Sequence, residues 1–143
     1  MSQSLSESKR SYWDWTLDWE DLRQAPVWDT TYGFGGNGNS SAKKSVAFGH
    51  CLTEGPFANL ELLHYGSTNR THRHCLSRGF LPHEEAQRYA ALNSPEYIER
   101  ILRVVDYEEF FSELEFNSHN AIPGFVRGDF YDVTAPNGES FHS

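Results

Sequence analysis

The sequence predicts a mainly α-helical fold with long irregular loops, and three observations carry that expectation. Residues 83 to 115 hold helix-favouring runs with apolar residues at helical spacing. Residues 29 to 58 hold most of the glycine, which marks turns and irregular backbone. Hydrophobic residues make up only 38% of the chain while aromatics reach 15%, so the apolar material is concentrated in a few large rings that something must position.

Taken in chain order, residues 1 to 10 are polar and expected to be disordered, since they bury nothing that offsets the entropy of ordering. From Ser11 to Trp28, four tryptophans (13, 15, 19 and 28) stand among Asp and Glu without a sustained period. That pattern reads as an aromatic-anchored loop with a helical turn near Glu20 to Gln24. The stretch Gly33-Phe34-Gly35-Gly36-Asn37-Gly38-Asn39 and the later Gly55-Pro56-Phe57 predict a surface-lying irregular region.

Pro82 then precedes an Ala-rich helix from Glu84 to Leu92. Ser94 is placed to cap a second helix with Pro95 at its first position, and Ile98, Ile101, Leu102 and Val105 follow the spacing of one apolar face. Asp106 with Glu109 three residues on resembles a capping box that opens a third segment, where Phe110 and Leu114 share a face. Two or three short helices and very little sheet are therefore expected, with no internal repeat.

A chain of 143 residues supports one core. Twelve basic against twenty acidic residues, a net charge of −8, with no basic tract, argue against nucleic acid as a partner. No stretch has the length and apolarity of a membrane span, and the first 20 residues lack the apolar core of a secretory leader. Cys51 and Cys75 either close a disulfide, which would contribute about 3 kcal/mol by the chain-entropy model, or are two buried thiols. The sequons Asn39-Ser40-Ser41 and Asn69-Arg70-Thr71 suit a secretory origin and favour the disulfide, against the missing leader, so localisation stays open.

Seven histidines (50, 64, 72, 74, 83, 119 and 142) invite a metal reading. The densest group, His72-Arg73-His74-Cys75, lacks the second ligand pair that zinc motifs usually show, and reads more simply as loop histidines on a solvated surface. Cys51 or Cys75 with a distant histidine has the residue types of a thiol hydrolase but no local nucleophile signature. Gly33 to Gly38 is not a phosphate loop, because it lacks the G-x-x-x-x-G-K-[ST] order and no strand pattern leads into it.

What rises above these readings is the order of several less common strings. Tyr12-Trp13-Asp14-Trp15-Thr16-Leu17-Asp18, Pro26-Val27-Trp28-Asp29, Gly33 to Gly38, Gly55-Pro56-Phe57 and His74-Cys75-Leu76-Ser77-Arg78-Gly79-Phe80 resemble successive blocks of the fungal tyrosinase copper-binding domain. His119-Asn120, Gly128-Asp129-Phe130 and Thr134-Ala135-Pro136-Asn137 resemble the stretch around that family's second copper. The resemblance spans roughly residues 11 to 137 and implies a partial copper-binding domain, residues 11 to 143, within an incomplete helix bundle. It also implies copper as cofactor, phenolic small molecules as partners, and oxidation of phenols or catechols to ortho-quinones at two coppers held by three imidazoles each.

Carried over by position, His119 matches the first ligand of the second copper, and Asn120 matches a residue that helps to orient a water in some members. The next ligand position, four residues on, holds Pro123, and Phe141-His142 only faintly echoes the segment of the third ligand. The family's first-copper ligands lie upstream of the Tyr-Trp-Asp-Trp block, where this chain has eleven residues and no histidine. The expectation is therefore a family member inactive by itself, or a non-catalytic binding module on the same scaffold without metal. Missing bundle helices would leave Ile98, Ile101, Leu102, Val105, Phe110 and Leu114 uncovered, with marginal stability or aggregation as the consequence.

Overall fold

The computed structural model describes residues 12–65 and 71–131; the expected disorder of residues 1 to 10, the sequon at Asn69 and the string from Thr134 to Asn137 lie outside them. The tryptophan segment folds as three consecutive 3₁₀ turns, Trp15–Leu17, Trp19–Gln24 and Pro26–Trp28. Short strands β1 (His50–Cys51), β2 (Glu61–Tyr65), β3 (Thr71–Cys75) and β4 (Ser77–Arg78) form two antiparallel ribbons, β1 with β4 and β2 with β3. Helices α1 (His83–Ala91), α2 (Pro95–Leu102), α3 (Tyr107–Glu113) and α4 (Asn120–Val126) follow, and a 3₁₀ turn, Gly128–Phe130, ends the described chain. Helix is thus the main regular structure, as the periodicity predicts.

The local signals act as written. Ser94 accepts from the backbone N–H of Tyr97 with Pro95 at the start of α2, and Asp106 accepts from the N–H of Glu109 at the start of α3. Beyond α3 the expectation needs correction, because the helix does not stop near Glu115. It widens into a π-helical turn, Leu114–His119, and runs on as α4 straight through Pro123. A proline has no N–H for the carbonyl four residues back, here that of His119, and its ring crowds it. The widened turn ends at that residue, which is where a helix tolerates such a break.

The core forms where the tryptophan segment meets α1 and α4. Leu22, Ala25, Trp28, Leu81, Ala86, Ile122, Phe125 and Val126 are buried together, with Trp13 and Phe80 against them. Trp28 sits edge-on to Trp13 and tilted on Phe80, each at 5.1 Å between ring centres, while Phe80 stacks on Phe125. Such contacts contribute about 0.5–1.5 kcal/mol each beyond area burial. The Trp28 indole N–H donates to the carbonyl of Leu22, so its burial leaves no unmatched donor.

The glycine-rich loop is irregular but anchored from inside. Arg78, 7% exposed, donates through Nη1 to the carbonyls of Phe34, Gly35 and Gly36 at 2.8, 2.6 and 3.0 Å. Its guanidinium also lies 4.9 Å from the centre of the Trp28 ring. Burial pushes the Arg78 pKa down to about 10, with the charge of Asp129 acting in the opposite sense. A depressed pKa on a cation means that the fold is penalised for that charge below about pH 10, and only its hydrogen bonds and ring contact offset the penalty. Next to it, Gly128 has φ +59°, and a Cβ there would sit 2.3 Å from the carbonyl oxygen of Ser77, so only glycine fits.

The predicted apolar face divides. Ile101 is buried, but Leu102 is 69% and Val105 99% exposed, because α2 ends at Leu102 and Val105 lies beyond it in the link to α3. Tyr107, Phe111, Leu114 and Phe116 add to the exposed apolar surface on the following helix.

Two outcomes follow from this packing. Arg78→Met removes the donor for three loop carbonyls and is expected to cost about 3 kcal/mol or more, read as a lower urea midpoint; a midpoint equal to the parent's would refute the anchoring role. The parent chain is expected to self-associate at high concentration in sedimentation velocity. Leu102→Glu with Val105→Glu should abolish that while moving stability by no more than about 0.5 kcal/mol, and a parent that stays monomeric would show that the face is not adhesive.

Candidate functional site around His119 and Asn120

His119 ends the π-helical turn and Asn120 opens α4. Their backbone is fixed by a buried polar pair one residue upstream. The Ser118 hydroxyl donates to Asn93 Oδ1 at 2.8 Å, and Asn93 Nδ2 donates to the carbonyl of Tyr89 at 3.1 Å, with Ser118 and Asn93 both fully buried. The end of α1 and the widened turn are thereby locked together, and Gly124 lets α4 approach the Tyr89 ring closely. His119 is half-buried, and Asn120 is exposed.

Asn120 borders a surface groove of about 480 Å³. Its wall carries the aromatic side chains Tyr89, Phe116 and Tyr131 and the amides of Asn117 and Asn120. Asn117 Nδ2 donates to Glu113 Oε2, which also accepts from the Tyr97 hydroxyl, and burial followed by that carboxylate raises the Tyr97 pKa above its ordinary value. Flat apolar walls with a few polar groups are what a small aromatic molecule requires.

The other histidines lie elsewhere. His83 begins α1, where Nδ1 stands 3.0 Å from an Arg23 guanidinium nitrogen and Nε2 3.2 Å from Gln87 Nε2. Arg23 is held bidentately by Asp21, whose carboxyl is kept below the usual range by that bond. His50 lies on β1 beside the carbonyl of Ala42. The reading of His72 and His74 as surface-loop residues is corrected: both are on β3, and the His74 side chain is only 11% exposed. His142 lies outside the described residues.

His74 Nε2 is 2.6 Å from Asp129 Oδ1, and Asp129 Oδ2 accepts from both the N–H and the hydroxyl of Ser77 at 2.8 Å. Sequence reasoning quoted Asp129 only within a string and gave it no role. The pairing joins positions 55 residues apart, and the only sequence signal for it was an acidic residue after a glycine that permits close approach. Cys51 and Cys75 are joined as a disulfide with Cα atoms 5.4 Å apart.

A copper ion of the type implied by the resemblance needs three imidazoles. Among the described residues, no three His, Cys, Asp or Glu side chains come together in a metal-binding group. Pro123 supplies no donor atom one helical turn beyond His119. The described surroundings of His119 therefore do not fit that ion, and no reaction step is drawn through it.

With this geometry in view, the comparisons with known proteins agree on one family. The family model described as the common central domain of tyrosinase matches residues 4–141. The chain is 39% identical over 142 residues to the tyrosinase-like protein phomQ1 of Diaporthe leptostromiformis, covering 92% of this chain and 36% of that protein. It is 40% identical over 132 residues to the tyrosinase ustQ of Aspergillus flavus, again covering 92% of this chain and 36% of the relative. It thus spans about a third of the length of the curated relatives it matches. No solved structure matches the chain significantly. The chain belongs to the tyrosinase family and carries, over residues 4–141, sequence of that family's central domain.

Proposed function

We propose that this chain is a tyrosinase-family polypeptide holding part of the second-copper side of the domain, on an incomplete helix bundle, and that it does not oxidise phenols by itself. The observation that carries this reading is the donor set around His119, where proline stands at the next ligand position and no three-donor group exists among the described residues. Fewer than three imidazoles on a surface without a preorganised shell hold copper weakly. Any further ligands would have to come from His142 or from sequence outside the described residues. Ortho-quinone formation would then belong to a longer polypeptide or an assembly.

A second reading has its own support in the groove beside Asn120. Tyr89, Phe116 and Tyr131 offer ring faces, and the Asn120 amide offers a donor and an acceptor, so a phenol or catechol could be held there without metal. The two readings share the phenolic class of partner and differ in whether a metal takes part.

Copper reconstitution of the full chain tests the first reading. Exposure to oxygen is expected to give no peroxide-to-copper absorption band and no quinone from catechol; two coppers per chain with quinone production would overturn it. Equilibrium binding of catechol to the metal-free chain tests the second. Phe116→Ala, at a largely exposed position, should weaken that binding about threefold to tenfold, the effect of one aromatic contact of about 0.5–1.5 kcal/mol. Unchanged affinity in that variant removes the groove from consideration.

A further inference from the structure

The sequon Asn39-Ser40-Ser41 has the residue order that accepts N-linked sugars, and it takes no part in the reading of the His119 region. In the fold its three residues are exposed and form a turn between the glycine loop and β1. The Asn39 carbonyl accepts from the N–H of Ala42 at 2.8 Å, which closes the turn, and the Asn39 N–H donates to the carbonyl of Cys51 at 3.1 Å. Just before it, Gly38 packs too closely for a side chain, since a Cβ would lie 2.2 Å from the carbonyl oxygens of His50 and Arg78. The base of the turn is therefore fixed against β1 and β4, while the sequon itself lies at the surface.

The Asn39 amide is oriented as well. Its Oδ1 accepts from the N–H of Ser41 at 2.9 Å, a local bond that asparagine commonly makes two residues on. Nδ2 donates one N–H to the Thr53 hydroxyl at 3.2 Å, and its second N–H has no acceptor among the described residues. An amide nitrogen that has taken a sugar keeps one N–H. Both bonds of the Asn39 side chain can thus survive the substitution, and the added group enters water rather than the core. The Cys51–Cys75 disulfide supplies an independent observation, because such bonds persist in the oxidising compartments through which secreted chains pass.

We propose that Asn39 is an N-glycosylation site, carrying an oligosaccharide on the turn next to the Cys51–Cys75 disulfide. In the transfer, Nδ2 forms a bond to the anomeric carbon of an oligosaccharide carried on a lipid pyrophosphate. The bond from that carbon to the pyrophosphate oxygen breaks, the lipid pyrophosphate leaves with the electron pair, and one amide proton passes to a base. Nothing is oxidised or reduced. The transferase of the host cell acts on the chain, and the fold decides whether the product is accommodated. The site does not rest on the reading of His119.

The test directs the full chain into the secretory pathway of a eukaryotic host and maps glycopeptides by mass spectrometry in both the secreted and the membrane-enclosed fractions. Most molecules are expected to carry an oligosaccharide on Asn39. Ser41→Ala should remove it and Ser41→Thr should retain it. Ser41 contributes only its N–H to the turn, so Ser41→Ala leaves the hydrogen bonds of Asn39 in place and separates loss of the sugar from loss of the fold. The glycosylated chain should keep the Cys51–Cys75 bond in unreduced peptide maps and melt no lower than Ser41→Ala. Bare Asn39 in both fractions would overturn the proposal, and so would a glycosylated form that lacks the disulfide or melts below the Ser41→Ala chain.

Discussion

The described fold depends on one short segment, Ser77-Arg78-Gly79, where β1, the glycine loop, the end of α4 and Asp129 meet. A buried guanidinium is costly to desolvate, and here the compensation is carbonyl dipoles and the Trp28 ring. Those carbonyls belong to residues 34 to 36, so the charge organises a loop that has no ladder of its own. On either side, Ser77 anchors Asp129, and the N–H of Gly79 donates to the carbonyl of Val126 at the end of α4. The ribbons, the glycine loop and the last helix thus share one set of polar contacts. They converge where backbones come too close for any side chain: a Cβ at Gly38 would lie 2.2 Å from the Arg78 carbonyl oxygen.

The second constraint is the helical run from Tyr107 to Val126. Pro123 cannot serve the carbonyl of His119, and the backbone answers by widening upstream instead of ending. That choice is held by Ser118 and Asn93, buried and bonded to one another against α1. His119 and Asn120 therefore have fixed positions even though Pro123 interrupts the hydrogen-bond ladder of their own helix. A firmly placed histidine and a proline one turn further on thus coexist on one continuous helical run.

What was legible in the sequence is what is decided within a few residues. The caps at Ser94 and Asp106 are settled by a side chain and an N–H three positions on, and both are where the sequence puts them. The tryptophan segment was legible as anchored because indoles seldom stay in water, but not as successive 3₁₀ turns, which tertiary contact selects. Val105 was misassigned because helical spacing was carried past a helix end that tertiary structure fixes. Arg78 finds its acceptors 42 to 44 residues away, and no local pattern announces such a partner. His119 and Asn120 stood out only through the family strings, which say which residues to examine and nothing of what surrounds them.

The histidines show why ligand spacing has to be judged in the period of the element that carries it. On a helix, neighbours on one face recur at three and four residues, so Pro123 lies one turn beyond His119 on the same side. On a strand the same-face interval is two, and the residue directly opposed on the paired strand shares that face, so register brings Leu62 to His74. Spacing along the chain cannot show such a neighbour, nor the Asp129 carboxylate at His74 that Ser77 also holds. The same buried segment that orders the glycine loop therefore also fixes the carboxylate beside His74, so the two cannot be altered independently.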